Sequence, residues 1–278
     1  MHRTIVAAAT DRVTARATLG LAVALGRPFG AQIALIGIVA RESWVPSWQE
    51  TRIEVLCEHL RKVAGEGARD VHVDVDGIVA PTLADGVRRA ADHHHAQLLV
   101  LARSAPNVME RALHGDPDAA AMRTVNCGIA FAAPSSPSSA PLQAPRRIGV
   151  AWDDSPEAGE ALEWAVQLAE RTGGSIEIVH LLRDDEDDAE AAGRLEGLRR
   201  AVEPRAPAVA TIIDGVAPAS QLARLTSELD LLVMGSRRGG SLRDRVLGSM
   251  SRTALHATHC HLVVLPRGVH APVDTAAV

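Results

Sequence analysis

The sequence predicts two consecutive α/β domains, each a parallel sheet with helices on both faces. Three observations carry this. The chain has 278 residues, about twice the length of a typical single domain. The stretch Ala132–Pro145 (AAPSSPSSAPLQAP) holds four prolines and four serines, the composition of an extended polar tether. On either side of it, short apolar runs alternate with helical patterns, and the two sides match in order. The expected boundaries are a first domain over 1–132, a linker over 133–145, a second domain over 146–268 and a flexible tail over 269–278.

The halves match over two ungapped stretches. A shift of 143 lays Ile5–Ile38 over Ile148–Leu181 and pairs Ile5/Ile148, Ala8/Ala151, Ala15/Ala158, Leu19/Leu162, Leu25/Leu168, Gly30/Gly173 and Ile33/Ile176. A shift of 133 lays Leu98–Ala132 over Leu231–Leu265 and pairs Leu98/Leu231, Val100/Val233, Gly115/Gly248 and Cys127/Cys260. Alanine-rich sequence inflates such identities. The stronger signal is that strand, helix and turn patterns fall at the same places.

In the second half Ile148–Trp152 reads as the first strand. Ser155-Pro156-Glu157 then starts a helix over Glu157–Thr172: a hydroxyl caps free amides, proline occupies the first turn, and an acid faces the positive end of the dipole. Gly173-Gly174 ends it. Ile176–Leu182 is the second strand, Leu195–Val202 lies in a helix, and Val209–Ile213 is the third strand. Ala219–Leu229 reads as a helix, Leu231–Met234 as the fourth strand, Ser249–Ala257 as the last helix and His261–Leu265 as the last strand. Ligands of such folds bind outside the carboxyl ends of strands, near a topological switch point. That rule points to the residues after Trp152, Leu181 and Met234.

Composition narrows the function. The chain is 47% hydrophobic and 23% charged, a globular balance, and no apolar run reaches the ~18 residues of a membrane span. A net charge of -5 argues against nucleic acid or an anionic membrane as the main partner, and the absence of tyrosine with only Phe29 and Phe131 leaves few stacking platforms. Three cysteines, Cys57, Cys127 and Cys260, fit reduced thiols and a cytoplasmic setting. Lys62 is the only lysine, which restricts Schiff-base chemistry to that residue.

The fourth strand of the second half runs into Gly235-Ser-Arg-Arg-Gly-Gly-Ser-Leu-Arg-Asp-Arg-Val-Leu-Gly248-Ser249-Met250-Ser251. Glycines there let backbone amides approach an anion, and Gly248-Ser249 delivers it to a helix N-terminus. A flexible connection before an ordinary capped helix is the competing reading. No nucleophile elbow or zinc-binding motif frames the serines, histidines and acids, so no catalytic residue is assigned. His93-His94-His95 point about 100° apart on a helix, and His256, His259 and His261 surround Cys260 without a neighbouring carboxylate; both sets read as core or solvated histidines rather than metal ligands. The acidic run Asp184–Asp188 reads as a solvated helix start, with a magnesium ion beside a triphosphate as the alternative. Trp44 and Trp48, in the matching loop of the first half, read as a lid or an interface anchor.

The second half, with I-G-V-A-W-D-D-S-P-E, I-E-I-V-H, L-L-V-M-G-S-R-R-G-G, L-G-S-M-S and H-C-H-L-V-V-L-P, resembles the universal stress protein family. The first half looks like a diverged copy. The resemblance implies a tandem universal stress protein whose domains have a five-stranded, Rossmann-like parallel sheet, with ATP-binding members carrying G-x2-G-x9-G-S/T. It places Ala151, Trp152 and Asp153 beside adenine and ribose, Leu181 where backbone meets adenine, and Met234 and Gly235 at the first motif glycine. Gly248, Ser249, Met250 and Ser251 fall at the phosphate turn. Arg238 stands where the second motif glycine belongs, and either pairs with phosphate or blocks the loop. In the first half Thr10 replaces Asp153, with Asp11 adjacent; Ala102 replaces Gly235, and Asp116 puts a carboxylate where Ser249 would meet phosphate.

The expected function is therefore a stress-response regulatory or interaction module whose second domain binds adenine nucleotide, ATP with or without magnesium, and whose first domain is a structural partner. A nucleotide-free dimerisation scaffold and a slow ATP hydrolase are the alternatives, the last lacking an evident general base. The halves are expected to pair as a pseudo-dimer through the strands Gly128–Ala132 and His261–Leu265, with a possible homodimer and an unknown protein partner beyond it.

Overall fold

The computed structural model describes residues 3–41, 47–68, 71–103, 125–133, 143–182, 186–214, 218–236 and 258–266. They fall into two compact units that divide between Gln143 and Ala144.

The first unit runs β1 (Thr4–Ala9), α1 (Arg12–Gly26), β2 (Gln32–Ala40), α2 (Ser47–Gly67), β3 (Val73–Ala80), α3 (Leu83–His93), β4 (Leu98–Ala102) and β5 (Gly128–Ala132). Its strands lie in the order β3-β2-β1-β4-β5, and each adjacent pair is parallel. The central strands are apolar throughout because both faces are covered; Ile5, Leu35, Leu98 and Leu99 are fully buried. α1 packs on β1, β2, β4 and β5, α2 on β2, β3 and α1, and α3 on β1, β2 and β3.

The second unit runs β6 (Arg147–Trp152), α4 (Pro156–Thr172), β7 (Ser175–Leu181), α5 (Asp188–Val202), β8 (Ala208–Ile213), α6 (Pro218–Thr226), β9 (Leu231–Ser236) and β10 (His261–Pro266). Its order is β8-β7-β6-β9-β10, again parallel at every step. The chain leaves β6 toward β7 on one side and returns to β9 on the other, so the switch point lies between β6 and β9.

The internal repeat reaches the backbone. Gln97 N–H donates to Thr4 O at 3.0 Å, and Asp230 N–H to Arg147 O at 2.9 Å. Gln32 N–H donates to Arg3 O as Ser175 N–H does to Arg146 O, and Gly128 N–H to Gln97 O as His261 N–H does to Asp230 O. Gly30 and Gly173 occupy the same turn with φ of 63° and 66°, the left-handed region that a side chain would strain.

Several boundaries differ from expectation, β9 among them, which runs to Ser236 rather than Met234. α6 ends at Thr226 rather than Leu229: beyond it the Ser227 and Glu228 amides turn to carbonyls three residues back, Arg224 O at 3.2 Å and Leu225 O at 3.1 Å, and Ser227 Oγ donates to Arg224 O at 2.7 Å. β7 is shifted one residue toward the N-terminus, although Leu182 N–H still donates to Ile213 O. The helix expected over Ser249–Ala257, the residues 134–142 of the linker and the tail from residue 269 lie outside the described residues.

Candidate functional site

The carboxyl ends of β6, β7 and β9 bring together Ala151, Trp152, Asp153, Leu181, Met234 and Gly235. Ala151 pairs in register with Met234, and Trp152 with His180, the residue before Leu181. Ala151 and Met234 are buried, while Trp152, Asp153 and Leu181 are half-buried. Arg238, Gly248, Ser249, Met250 and Ser251 lie outside the described residues, as do Trp44, Asp116 and His256.

Local chemistry fixes the turn after β6. Ser155 caps α4, its hydroxyl accepting from Ala158 N at 3.1 Å, with Pro156 and Glu157 following in the first turn. One Asp153 carboxylate oxygen accepts from both the Ser155 amide and the Ser155 hydroxyl. That oxygen therefore orients the capping residue, which gives Asp153 a local structural role beside any ligand role. Gly235 is required by its surroundings: a Cβ there would stand 2.4 Å from the Glu157 carbonyl carbon and 2.5 Å from its oxygen. The end of β9 thus runs against the first turn of α4, backbone to backbone.

Asp154, one step on, has φ of 60°. Its Oδ1 accepts from the Trp152 indole N–H at 2.9 Å, and its Oδ2 lies 3.6 Å from Arg194 Nε of α5. Arg194 also pairs with Glu190 at 3.1 Å and with Glu186. Glu186 in turn meets His180 Nε2 at 2.9 Å, and His180 Nδ1 meets the Trp152 carbonyl at 2.9 Å. His180 and Glu186 are 2% and 6% exposed. The acidic run was expected to be a solvated helix start. At Glu186 that expectation is corrected: this carboxylate is buried because an imidazole and a guanidinium receive it. Asp187 does cap α5, accepting from Glu190 N at 2.9 Å. The available sequence signal was a histidine at the end of a strand covered on both faces, six residues before an acid.

The first unit is built differently at the same register. Ala9 pairs with Gly37 where Trp152 pairs with His180. Asp11, the positional equivalent of Asp154, caps α1: its Oδ1 accepts from Val13 N and Thr14 N, both at 2.8 Å. Thr14 Oγ1 returns a bond from Asp11 N, completing a capping box. Asp11 is thereby tied to the helix and does not take the Asp153 position.

Among the described residues, no group of three or more His, Cys, Asp or Glu is arranged to hold a metal, and no helix is long and apolar enough to cross a membrane. His93 and His94 meet edge to face at 4.9 Å, and burial pushes the His94 imidazole pKa down, with His93 adding to it. Burial pushes the Cys57 thiol up. A shallow hollow of about 250 Å³ lies at the opposite, amino ends of β6, β7 and β8, lined by Arg147, Ser175, Glu177, Glu203 and Val209.

Comparison with known proteins adds the following. Residues 145–266 match the model of the universal stress protein family. Universal stress proteins of Mycobacterium tuberculosis and Mycobacterium bovis are each 27% identical over 187 residues, which span 62% of this chain and 62% of each relative. The chain therefore matches less than two thirds of their length. Among solved structures, a universal stress protein from Archaeoglobus fulgidus superposes with a TM-score of 0.63 at 17% identity, covering 95% of this chain and 98% of that one. A functionally unknown protein from Pseudomonas aeruginosa superposes at 0.62 and 14% identity, covering 95% and 92%. These two likenesses are of fold.

Proposed function

From the match of residues 145–266 to the universal stress protein family, we propose that the chain is a member of that family, that its second half binds adenine nucleotide and that the first half is a structural partner without a nucleotide site. The observation that supports this is the gathering of Ala151, Asp153, Met234 and Gly235 around the start of α4 at the switch point of a parallel sheet. In this reading Asp153 accepts from the adenosine moiety, Leu181 offers backbone to adenine, and the segment from Gly248 to Ser251 receives phosphate at a helix start. Bound ATP, with or without magnesium, supplies charge and contacts that alter stability or partner choice; the chain acts as a regulatory or interaction module in stress response rather than as an enzyme.

A nucleotide-free scaffold is the second reading, and specific observations favour it. Asp153 already orients Ser155, and the space at Gly235 is filled by Glu157 rather than left for a ligand. Calorimetric titration of ATP into the full chain, with and without magnesium, separates the two. Nucleotide binding predicts saturable heat with one site per chain. No heat at millimolar ATP selects the scaffold, and two equivalent sites would contradict the assignment of the first half.

A further inference from the structure

The second unit ends on one side at β8, whose outer edge meets no other strand among the described residues. Two hydrogen bonds fix which of its backbone groups look outward. Ile176 N–H donates to Pro207 O at 2.8 Å, and Leu182 N–H to Ile213 O at 2.9 Å. Bonds of a parallel ladder recur at every second residue, so Pro207, Val209, Thr211 and Ile213 turn toward β7. Ala208, Ala210 and Ile212 turn their N–H and C=O groups away from it. The N–H that Pro207 lacks belongs to the inward side, so the outward row is unbroken.

The first unit shows the opposite kind of edge. β3 also closes a strand order, and Arg41 N–H donates to Ala80 O at 2.8 Å, which turns Val73, Val75, Gly77 and Val79 outward. There the Gly77 N–H is taken by Asp76 Oδ1 at 2.7 Å, and Val79 O accepts from Arg89 at 3.4 Å. Asp74 stands on the same strand, paired with His72 at 2.9 Å. Two copies joined about Val75 would set Asp74 of each against Asp76 of the other. Charge and side-chain capping of this sort keep an edge from recruiting strands. β8 has neither. Its sequence AVATII is uncharged, and among the described residues no side chain bonds to the backbone of Ala208, Ala210 or Ile212.

We propose that a second copy of this chain pairs with the outer edge of β8, antiparallel, about a two-fold axis at Ala210. Such a pair must oppose outward residue to outward residue. Ala210 then meets Ala210 and Ala208 meets Ile212, each pair exchanging both N–H···O=C bonds. Every outward donor of one copy finds an acceptor on the other. Val209, which is 56% exposed, comes opposite Thr211 of the second copy and is covered by it. The chain itself is the occupant because every cross-pair is uncharged and either small or β-branched, the kind that packs on a pleated surface. A charged segment would find no counter-charge along this strand. β7 separates β8 from β6 and the switch point, so the pairing does not depend on the nucleotide reading.

The test is sedimentation equilibrium of the full chain and of variants at Ala210, an exposed position. The wild type should dimerise reversibly. Ala210→Pro removes the outward N–H at the axis from both copies while sparing the ladder to β7, and should weaken dimerisation about tenfold or more. Ala210→Lys and Ala210→Glu each set like charges across the axis and should each weaken it about fivefold or more. Mixing Ala210→Lys with Ala210→Glu should recover association as a heterodimer, which variants that merely damaged the fold could not do. A monomeric wild type at the highest soluble concentration, dimers unaffected by all three changes, or no recovery on mixing would each overturn the proposal. So would a chain that stays monomeric yet binds an added peptide along β8, which would assign the edge to another partner.

Discussion

At the carboxyl ends of their first two strands the halves solve one packing problem in opposite ways. In the first unit Ala9 and Gly37 face each other, and Leu56 and Leu60 of α2 descend so far that a Cβ on Gly37 would meet them at 3.0–3.1 Å. Aliphatic side chains close the space. In the second unit Trp152 and His180 hold that register, and a polar circuit fills the same region with Glu186, Arg194 and Asp154. Buried polar groups are costly unless each has a partner, so an all-apolar end is the simpler way to stabilise this fold. The comparison shows that the sheet is indifferent to what lies at its strand ends, which is where function is grafted onto a shared scaffold.

The sharpest way to break the comparison is to copy one half onto the other. Ser249→Asp reproduces the Asp116 of the first half and should abolish ATP binding by placing a carboxylate at the phosphate turn. Asp116→Ser alone should create no second site, because Ala102 and the capped Asp11 remain. Titration calorimetry reads both, and undiminished binding by Ser249→Asp would remove the phosphate turn from the site.

A smaller effect is expected at Gly235. An alanine there collides with the Glu157 backbone, which cannot swing aside as a side chain tip can, so roughly 3 kcal/mol of destabilisation is expected from overpacking. The first half carries alanine at the matching position, and Ala102→Gly should cost only about 0.5–1 kcal/mol. Denaturant unfolding of the two variants measures the contrast; equal losses would mean that the approach of β9 to α4 is not specific to the second half.

The smallest expected effect concerns how each half joins its helices. The first joins α1 to α2 through Arg16 with Glu66 at 2.8 Å. The second uses Arg205, which reaches Glu163 at 2.7 Å and Glu170 at 2.7 Å. Hydrogen bonding from Arg205 holds the Glu163 carboxyl below its ordinary value despite burial, with Gln167 assisting. A depressed carboxyl stabilises above its unfolded value and loses that contribution as the pH falls through the folded one. Glu163→Gln should therefore cost about 0.5 kcal/mol near neutral pH, a modest figure because the pair is half exposed. The difference from wild type should vanish in acid, and a difference that persists there would assign it to packing instead.

Which parts of this were legible in the sequence follows from how local their causes are. The strands were readable because parallel strands covered on both faces appear as apolar runs, and Gly30 and Gly173 marked one turn twice because only glycine takes that backbone shape easily. The cap at Ser155 depends on neighbours within three residues and was equally plain. The circuit was not. Its members come from a strand end, a lead-in, a helix and a turn, and only the folded sheet sets Trp152 beside His180. Glu186 sits in a run of acids that looks uniformly wet, and the partner that buries it lies on another element. The end of α6 was missed for a related reason, since the tightening of its last amides onto carbonyls three residues back leaves no mark in hydrophobic periodicity.

The division of the chain between Gln143 and Ala144 has a consequence for its synthesis. Every described strand of the first unit precedes Ala133, so all its pairings are available before β6 has been made. Translation at ~5–20 residues per second gives that unit on the order of ten seconds to fold before the second is complete. Within each unit, however, the central strand is made first and its second neighbour fourth: β1 waits for β4, and β6 for β9. Until then one edge of the central strand stays open, and a ribosome that stalls between β3 and β4 would present that edge to other nascent chains.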